Sequence, residues 1–279
     1  MSEVSNIIVR PLTSRIGAEI CGVDLSQNLP QAIISEIRRV LLDYLVIFFR
    51  EQDITPEQQI AFVSKFGKTD TYPFVKGLDD YPQITPVLKL PDETVNFGGI
   101  WHSDTVYLDK PPMGTVLYAK ELPPMGGDTL FANQYQAYED LSAPLRGFLK
   151  GLKAVNSATK GTAAATRSDR VADAGMGEDR VLEAIHPVVR THPETGRKAL
   201  YVNTGHTVRF DGMSEEESRP ILEYLFQHQI KPEFCCRFIW TPGAVAFWDN
   251  RCAQHYPVND YHGYKRLLHR ITLKGEKPF

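Results

Sequence analysis

Short apolar runs separated by turn residues recur through most of the chain, and this pattern limits the folds that it can adopt. Residues 115–118, 234–240, 244–248 and 267–273 each have the length and composition of a β-strand. The strands do not alternate regularly with helical patterns, as a parallel α/β sheet would require. About eight short strands with peripheral helices therefore predict a mainly β fold, a roll or sandwich of two sheets.

The first quarter of the chain adds helices and one deeply buried strand to this pattern. Apolar residues recur with helical spacing over 31–44, and residues 45–49 are apolar on both faces, which predicts a central strand. Thr55 and Gln58 match a capping box with proline at the first helical position. A second helix is therefore predicted to begin there and to end at Gly67.

The second half of the chain contains further helix signals and one hairpin. Asn133 is predicted to cap a short helix over 134–141, and residues 144–152 are predicted to form another. The turn at 192–196 lies between two apolar runs and predicts a hairpin. A second capping box predicts a helix over 214–228.

Composition excludes several classes of function. The chain is 42% hydrophobic and 23% charged, which is ordinary for a soluble globular protein. A formal net charge of −3 without a basic block argues against nucleic acid or an anionic membrane surface as a partner. No apolar run reaches the roughly 18 residues that a membrane span needs, and the N-terminus lacks the pattern of a signal peptide. We therefore expect a cytoplasmic protein whose four cysteines, which have no C-x-x-C spacing, are reduced.

No internal repeat divides the chain, so residues 1–279 are predicted to form one domain. Residues 68–100 are rich in proline, and residues 157–180 are rich in small polar residues with little periodicity. Both segments are predicted to be mobile loops of the kind that cover binding sites. We also expect a homo-oligomer, either a dimer or a tetramer.

A His-x-Asp pair follows the glycines at 98 and 99. If this segment is extended, His102 and Asp104 point to the same side and present a nitrogen and an oxygen together. His255, just past a predicted strand, is the candidate third ligand. Two histidines and one carboxylate on one face of a metal form the facial triad of non-haem Fe(II) oxygenases. The alternative is a hydrogen-bonded His–Asp pair without a metal, which the pair alone would favour.

Two arginines lie on one face of the last predicted strand. Arg266 and Arg270 are four residues apart, with Leu268 between them on the same face. An arginine inside a β-roll must meet an anion, because buried charge is costly unless it is paired. Two of them near a metal ligand predict two anion sites, one for a cosubstrate carboxylate and one for an anionic substrate. Salt bridges to Asp or Glu are the alternative.

Together these motifs resemble those of the taurine/2,4-D dioxygenase family of Fe(II)/2-oxoglutarate enzymes. The matching motifs are Trp-His-x-Asp at 101–104, Gly-Gly-Asp-Thr at 126–129, Trp-Asp-Asn-Arg at 248–251 with His255 after it, and Arg-x-x-His-Arg at 266–270. The resemblance covers nearly the whole chain. It implies a double-stranded β-helix (jelly-roll) core and a dioxygenase, an oxidoreductase, that uses Fe(II), O₂ and 2-oxoglutarate.

The resemblance also implies a role for each matching residue. The implied iron ligands are His102, Asp104 and His255. Thr129 and Arg266 match the positions that bind the distal carboxylate of 2-oxoglutarate, and Arg270 matches the residue that pairs with the anionic group of the substrate. The implied reaction hydroxylates a C–H bond while 2-oxoglutarate is decarboxylated to succinate and CO₂. Hydroxylation next to a heteroatom would release the group that the heteroatom carries.

The implied substrate pocket departs from that of a taurine dioxygenase. The candidate pocket residues are Tyr72, Val75, Gly98, Thr105 and His206. By rough alignment, four of these positions differ from those that surround taurine, and Gly98 stands where an asparagine is found. The loss of amine-binding groups predicts a roomier and less polar pocket. We therefore expect a small organic anion other than taurine: a sulfonate, a sulfate ester or an aryloxyalkanoate-type carboxylate.

Two other functions stay open on the sequence alone. The chain could be a taurine dioxygenase proper. It could also be a non-oxygenase jelly roll, a sensor or a zinc hydrolase, that holds its metal with the same three ligands. Such a protein would have no use for a second anion site at Thr129 and Arg266.

Overall fold

The computed structural model of the protein describes residues 7–72, 75–160 and 182–279. Within these ranges the fold is mainly β with peripheral helices, as the sequence predicts. The helices are α1 (Gln31–Tyr44), α2 (Pro56–Ser64), α3 (Gln134–Glu139), α4 (Ala143–Leu149) and α5 (Glu215–His228). The strands are β1 (Ile8–Pro11), β2 (Ala18–Cys21), β3 (Val46–Phe49), β4 (Thr69–Asp70), β5 (Thr85–Lys89), β6 (Gly114–Glu121), β7 (Thr129–Asn133), β8 (Lys153–Ser157), β9 (Glu183–Pro187), β10 (Val189–Thr191), β11 (Lys198–Leu200), β12 (Thr207–Phe210), β13 (Cys235–Phe238), β14 (Val245–Asp249), β15 (Ala253–Pro257) and β16 (Arg266–Leu273).

Two sheets of unequal size pack against each other. The larger sheet has the strand order β1-β2-β3-β14-β6-β16-β4, and β5 also pairs with β16. The smaller sheet has the order β13-β7-β15. Phe48, Trp248 and Leu268 of the larger sheet share one buried cluster with Phe131 and Phe238 of the smaller sheet. This cluster forms the core between the two sheets.

The central strand β3 is buried on both faces. Successive side chains of a strand point to opposite sides, so Phe48 enters the core between the sheets and Phe49 enters a second core. Helices α1 and α2 cover that second core with Ile37 and Phe62. The predicted central strand is therefore confirmed, since every side chain of β3 meets apolar neighbours.

A third layer consists of a hairpin, a three-stranded sheet and a helix. Strands β10 and β11 pair as the predicted hairpin, and the sheet β12-β8-β9 packs beside them with α5.

At the turn of this hairpin, His192 Nε2 lies 3.0 Å from Asp249 Oδ2, and Arg251 donates to both oxygens of Asp249 at 2.8 and 2.6 Å. Burial alone would raise the pKa of the Asp249 carboxyl, but the charge and hydrogen bonds of Arg251 together with His192 lower it further, so the net shift is downward. This ionic cluster fixes the end of β14.

The local helix signals are mostly confirmed. Thr55 and Ser214 accept from the backbone of their capping-box partners at the starts of α2 and α5. Several boundaries were wrong, and the helices predicted over 134–141 and 144–152 end earlier, as α3 at Glu139 and α4 at Leu149. Leu45 is the left-handed cap of α1, with φ 67°, and is not part of β3. Helix α2 ends at Ser64, ahead of Gly67, because Lys65 already caps it.

The predicted loops are only partly loops. The segment 68–100 contains β4 and β5, and β5 forms in spite of Pro86 because it is an edge strand that pairs with β16 on one side. Most of the second predicted loop, residues 161–180, lies outside the described residues. Among the residues that are described, no helix has both the length and the apolar character needed to cross a membrane.

Candidate active site

The three candidate metal ligands come together although they are far apart in the sequence. His102 and His255 exchange two backbone hydrogen bonds of 3.1 and 2.9 Å as an isolated β-bridge. Their rings lie 4.2 Å apart between centroids, and His102 Nε2 is 3.8 Å from Asp104 Oδ1. Donor atoms from the three residues all lie within 4.8 Å of one another. The predicted grouping is therefore present in the structure.

The local geometry of the His-x-Asp pair differs from the prediction. Only His102 is bridged, and Asp104 begins a turn rather than continuing a strand. Thr105 follows with φ 44°, a backbone conformation that β-branched residues rarely adopt. This strained turn, rather than the alternation of a strand, brings the Asp104 carboxylate towards the two imidazoles.

Both histidines are in a form that can bind a metal ion. His102 Nδ1 lies 2.6 Å from the carbonyl oxygen of Ile100. A carbonyl only accepts, so Nδ1 carries the proton and Nε2 keeps its lone pair. Burial lowers the pKa of His255 well below its usual value, with a smaller contribution from His102, so this ring is a neutral imidazole. Neutral imidazole nitrogens are the form that binds metal ions.

Asp104 is an ionised carboxylate in a buried position. Burial alone would raise its pKa, but the charge of Arg270 and a hydrogen bond from Thr115 contribute to a net downward shift. Arg270 Nη2 lies 3.0 Å from Asp104 Oδ1, and Thr115 Oγ1 donates to Asp104 Oδ2 at 2.6 Å. Oδ1 of the carboxylate therefore lies next to a charged group, whereas Oδ2 accepts from a hydroxyl.

A chain of hydrogen bonds behind Asp104 holds its second oxygen. The indole of Trp248 can only donate, and it donates to Asn250 Oδ1 at 2.9 Å. Asn250 Nδ2 must then face Thr115, and it donates to Thr115 Oγ1 at 2.9 Å. The hydroxyl proton of Thr115 is thereby directed to Asp104 Oδ2. This relay leaves Oδ1 to face the two imidazoles.

Removal of the last member of this relay should weaken metal binding while the fold is kept. In Thr115→Val, a change of nearly equal volume, Asp104 Oδ2 loses its donor. We expect Mn(II) affinity, measured by electron paramagnetic resonance, to fall about 10–100-fold, as for other partners of metal ligands. Thr115→Ser keeps the hydroxyl and should bind Mn(II) like the unmodified protein. Equal affinities for the Val and Ser variants would contradict this role of the hydroxyl.

The donor set fits a divalent cation. Two neutral imidazoles and one ionised carboxylate, all within reach of one ion, supply ligands that Fe(II) and related metals accept. A second group with suitable atoms, His192, Asp249 and Cys252, does not fit. Its carboxylate oxygens are occupied by Arg251, and His192 Nδ1 accepts from backbone N–H groups of the hairpin turn.

A cavity connects the triad with both predicted arginines. Arg266 and Arg270 line it from β16 and are 4% and 6% exposed. Nε and Nη2 of Arg266 have no hydrogen-bond partner among the described residues. The alternative of salt bridges to Asp or Glu therefore holds only for Arg270, which meets Asp104. Arg266 has donors for an anion that enters the cavity, and this arrangement fits the carboxylate of a cosubstrate.

The surroundings of Arg266 hold its side chain in place. A Cβ on Gly127, which has φ 72°, would come within 3.2 Å of Arg266 Cδ, so glycine leaves room for the arginine. The Trp240 indole donates to Thr129 Oγ1 at 3.0 Å. Since the hydroxyl of Thr129 already accepts there, its own proton can be donated to a ligand beside Arg266. Burial lowers the pKa of Arg266.

The predicted substrate-pocket residues are brought together with one exception. A second cavity next to the triad is lined by Tyr72, Gly98, Thr105 and His206, together with Phe97, Ile100, Tyr107 and Arg270. Val75 is half-buried but does not line either cavity. A Cβ on Gly98 would lie 3.1 Å from His102 Cε1, so a larger residue there would press on the metal ligand.

Sequence reasoning missed three residues of this site. Thr115 and Asn250 orient Asp104, and Lys89 lines the main cavity beside Arg266. The Trp-Asp-Asn-Arg motif contained Asn250 but gave no indication of its partner. The alternation of Thr85, Val87 and Lys89 could have revealed the strand that carries the lysine.

Comparisons with known proteins find relatives over nearly the whole chain. The family described as "Taurine catabolism dioxygenase TauD, TfdA family" matches residues 8–272. An alkylsulfatase of Acinetobacter baylyi is 36% identical over 276 residues, which cover 96% of this chain and 85% of that protein. An alpha-ketoglutarate-dependent sulfate ester dioxygenase of Pseudomonas putida is also 36% identical, over 97% of this chain and 90% of its own.

A solved structure extends the likeness to three dimensions. The crystal structure of a taurine dioxygenase from Burkholderia xenovorans superimposes with a TM-score of 0.82 at 37% sequence identity. The match covers 98% of this chain and 90% of that chain. The likeness therefore includes both sheets and the residues between them.

Proposed function

The chain belongs to the TauD/TfdA family, and on that premise we propose that it oxidises an alkyl sulfate ester at the carbon next to oxygen. It is an alpha-ketoglutarate-dependent dioxygenase that acts on a small organic anion. Within that class, Fe(II) is our proposal for the metal and His102, Asp104 and His255 for its ligands. Nothing in the comparisons favours a sensor or a zinc hydrolase.

The cosubstrate is proposed to bind between the triad and Arg266. The donor atoms Nε and Nη2 of Arg266, with the hydroxyl of Thr129, would hold the distal carboxylate of 2-oxoglutarate. Its keto acid end would then reach the open face of the triad. A protein that only bound zinc would have no use for this second site.

The observation that carries the substrate proposal is the buried Arg270 in the wall of the pocket beside the triad. Arg270 is 6% exposed, and its Cζ lies 4.6 Å from the centroid of the Tyr72 ring. Among the described residues that line this pocket, Asp104 is the only carboxylate, and it belongs to the triad. An anionic head group therefore has a partner, whereas an ammonium group such as that of taurine has no acidic residue to meet. Both relatives described above are named for sulfate ester chemistry.

The chain's own residues position the reaction. Bound Fe(II) with 2-oxoglutarate and O₂ would supply the oxidising power needed to break a C–H bond. Arg270 holds the sulfate group, which places the neighbouring CH₂ towards His102 and His255. In that reaction 2-oxoglutarate would be split into CO₂ and succinate, which would take one oxygen atom of O₂, and the other oxygen atom would be inserted into the substrate C–H bond as a hydroxyl. That carbon then carries both hydroxyl and sulfate, and it collapses to an aldehyde and hydrogen sulfate.

The packing of the two sheets also bears on the fold class and on the number of domains. The two packed sheets support a double-stranded β-helix core, and we propose that residues 1–279 form one such domain. A homo-oligomer and a cytoplasmic location stay predictions from the sequence.

Product analysis tests the substrate proposal directly. With Fe(II), 2-oxoglutarate and hexyl sulfate, we expect succinate, hexanal and inorganic sulfate in equal amounts. Taurine and a 2,4-dichlorophenoxyacetate control should give less product per unit time. Under anaerobic conditions, hexyl sulfate should also perturb the visible charge-transfer band of the Fe(II)–2-oxoglutarate complex. Faster turnover of taurine than of hexyl sulfate would overturn the proposal, and absence of any such band would argue against the cosubstrate site.

A further inference from the structure

The described part of the chain contains an ammonium group that is buried without a hydrogen bond. Lys89, the last residue of β5, is 3% exposed, and its Nζ has no hydrogen-bond partner among the described residues. The Lys89 Nζ atom lies over the ring of Tyr261, 4.4 Å from the ring centroid. A ring face attracts a cation but supplies no acceptor for its three N–H donors. Burial of such a group is costly unless an anion completes the site.

The register of the sheet places this lysine directly opposite Arg266. Lys89 and Arg266 are Cα partners in the antiparallel pair β5–β16, so their side chains lie on the same face. Both line the same cavity with Thr129 and Tyr261. Two like charges directly opposite each other destabilise a sheet. Asp104, at the other end of the cavity, is the only carboxylate among its described lining residues, and Arg270 already faces it.

We propose that Lys89 is a second cationic residue of the cosubstrate site, which binds the distal carboxylate of 2-oxoglutarate together with Arg266 and Thr129. This inference rests on the proposed binding of 2-oxoglutarate. The donor count supports it, because a carboxylate offers about four lone-pair positions. Arg266 Nε and Nη2 fill two of them, the Thr129 hydroxyl fills a third, and the Lys89 ammonium fills the fourth.

The same register argues against a role for Lys89 at the substrate anion. Arg270 pairs with Thr85, which is four residues before Lys89 on β5. At about 3.3 Å per residue, these two positions are about 13 Å apart along the strand. A single carboxylate or sulfate group cannot bridge that distance. Lys89 therefore belongs to the Arg266 end of the cavity.

Lys89→Met tests the proposal because it removes the charge and keeps the length of the side chain. With Mn(II) in place of iron and no oxygen, calorimetry should show 2-oxoglutarate binding about 10–100-fold weaker than in the unmodified protein. Lys120→Met is the matched control, since Lys120 Nζ also lies over a tyrosine ring, that of Tyr118, but the residue is exposed. Its affinity for 2-oxoglutarate should not change.

The choice of ligand separates this role from general damage to the site. 2-Oxopentanoate has the same keto acid end but no distal carboxylate. Lys89→Met should therefore lower the affinity for 2-oxoglutarate and leave the affinity for 2-oxopentanoate unchanged. Lys89→Gln should show the same pattern and serves if the methionine variant folds poorly. An equal loss for both ligands, or no loss for either, would overturn the proposal.

Thermal stability gives a readout that moves in opposite directions for the two possible roles. If the role of Lys89 is to bind the carboxylate of the ligand, removal of its charge relieves repulsion with Arg266. The ligand-free variant should then melt at a higher temperature than the unmodified protein. If Lys89 serves only to pack on Tyr261, its removal should lower the melting temperature. Failure of the unmodified protein to bind 2-oxoglutarate would instead overturn the proposed function. Weak binding in Arg266→Ala with normal binding in Lys89→Met would overturn this inference alone.

Discussion

Replacement of His255 by alanine is expected to abolish metal binding and turnover together. His255 is proposed to supply one of two neutral nitrogen ligands, and its backbone bridge to His102 fixes where both rings lie. Changes in residues that only orient metal ligands already cost about 10–100-fold in affinity. Loss of a ligand itself should therefore weaken Mn(II) binding by more than about 100-fold, with no measurable formation of succinate. Electron paramagnetic resonance of added Mn(II) and a succinate assay check the two effects.

The control for this variant is a histidine outside the site. His262 is exposed in the loop before β16, and His262→Ala should bind metal normally. The centroids of the His255 and Trp248 rings lie 4.6 Å apart, so loss of the His255 ring also leaves a small cavity. Near-ultraviolet circular dichroism should show that the variant keeps its tertiary packing. A folded His255→Ala protein that bound Mn(II) normally would remove His255 from the ligand set.

Sequence reasoning selected three candidate ligands that the structure brings together, but it did not predict the geometry that assembles them. His102, Asp104 and His255 were found because the chemistry of a facial triad needs those residue types. The prediction that His102 and Asp104 share one strand face was wrong, since the strand pairing ends at His102. Nothing in local periodicity reports a positive φ at Thr105 or a bridge to a residue more than 150 positions away. Such contacts are set by the packing of the whole fold.

The same limit explains the missed residues. The several prolines of 68–100, Pro86 among them, made this segment look like a continuous loop, because proline normally interrupts strand pairing. An edge strand tolerates proline, and the edge strand β5 places Lys89 in the wall of the cavity. Thr115 looked like an ordinary strand residue, although its hydroxyl connects Asp104 to Asn250, which is 135 positions away. By contrast, β3 was predicted correctly, since a strand buried on both faces shows this in its own residues.

Replacement of Arg266 by alanine is expected to remove 2-oxoglutarate binding while metal binding is kept. Arg266 lines the cavity and has two guanidinium donors without a hydrogen-bond partner among the described residues, and each hydrogen bond to a charged group contributes about 1.5–3 kcal/mol. Loss of both should weaken 2-oxoglutarate binding by more than about 100-fold, at 1.4 kcal/mol for each factor of ten. Mn(II) affinity should be unchanged because Arg266 does not contact the triad residues. Calorimetric titration of Mn(II) and then 2-oxoglutarate separates the two steps.

Variants of two other arginines serve as comparisons for Arg266→Ala. Arg237 pairs with Asp128, next to Thr129, but its side chain is 52% exposed, so Arg237→Ala should bind 2-oxoglutarate normally. Arg270 lies on the same face of β16 at the substrate end, so Arg270→Ala should lose the effect of hexyl sulfate on the charge-transfer band and keep the band itself. If Arg266→Ala bound 2-oxoglutarate as tightly as the unmodified protein, the cosubstrate carboxylate would have to bind elsewhere. If both arginine variants lost only the sulfate ester, the cavity would hold one anion, and the division of β16 into a cosubstrate end and a substrate end would be wrong.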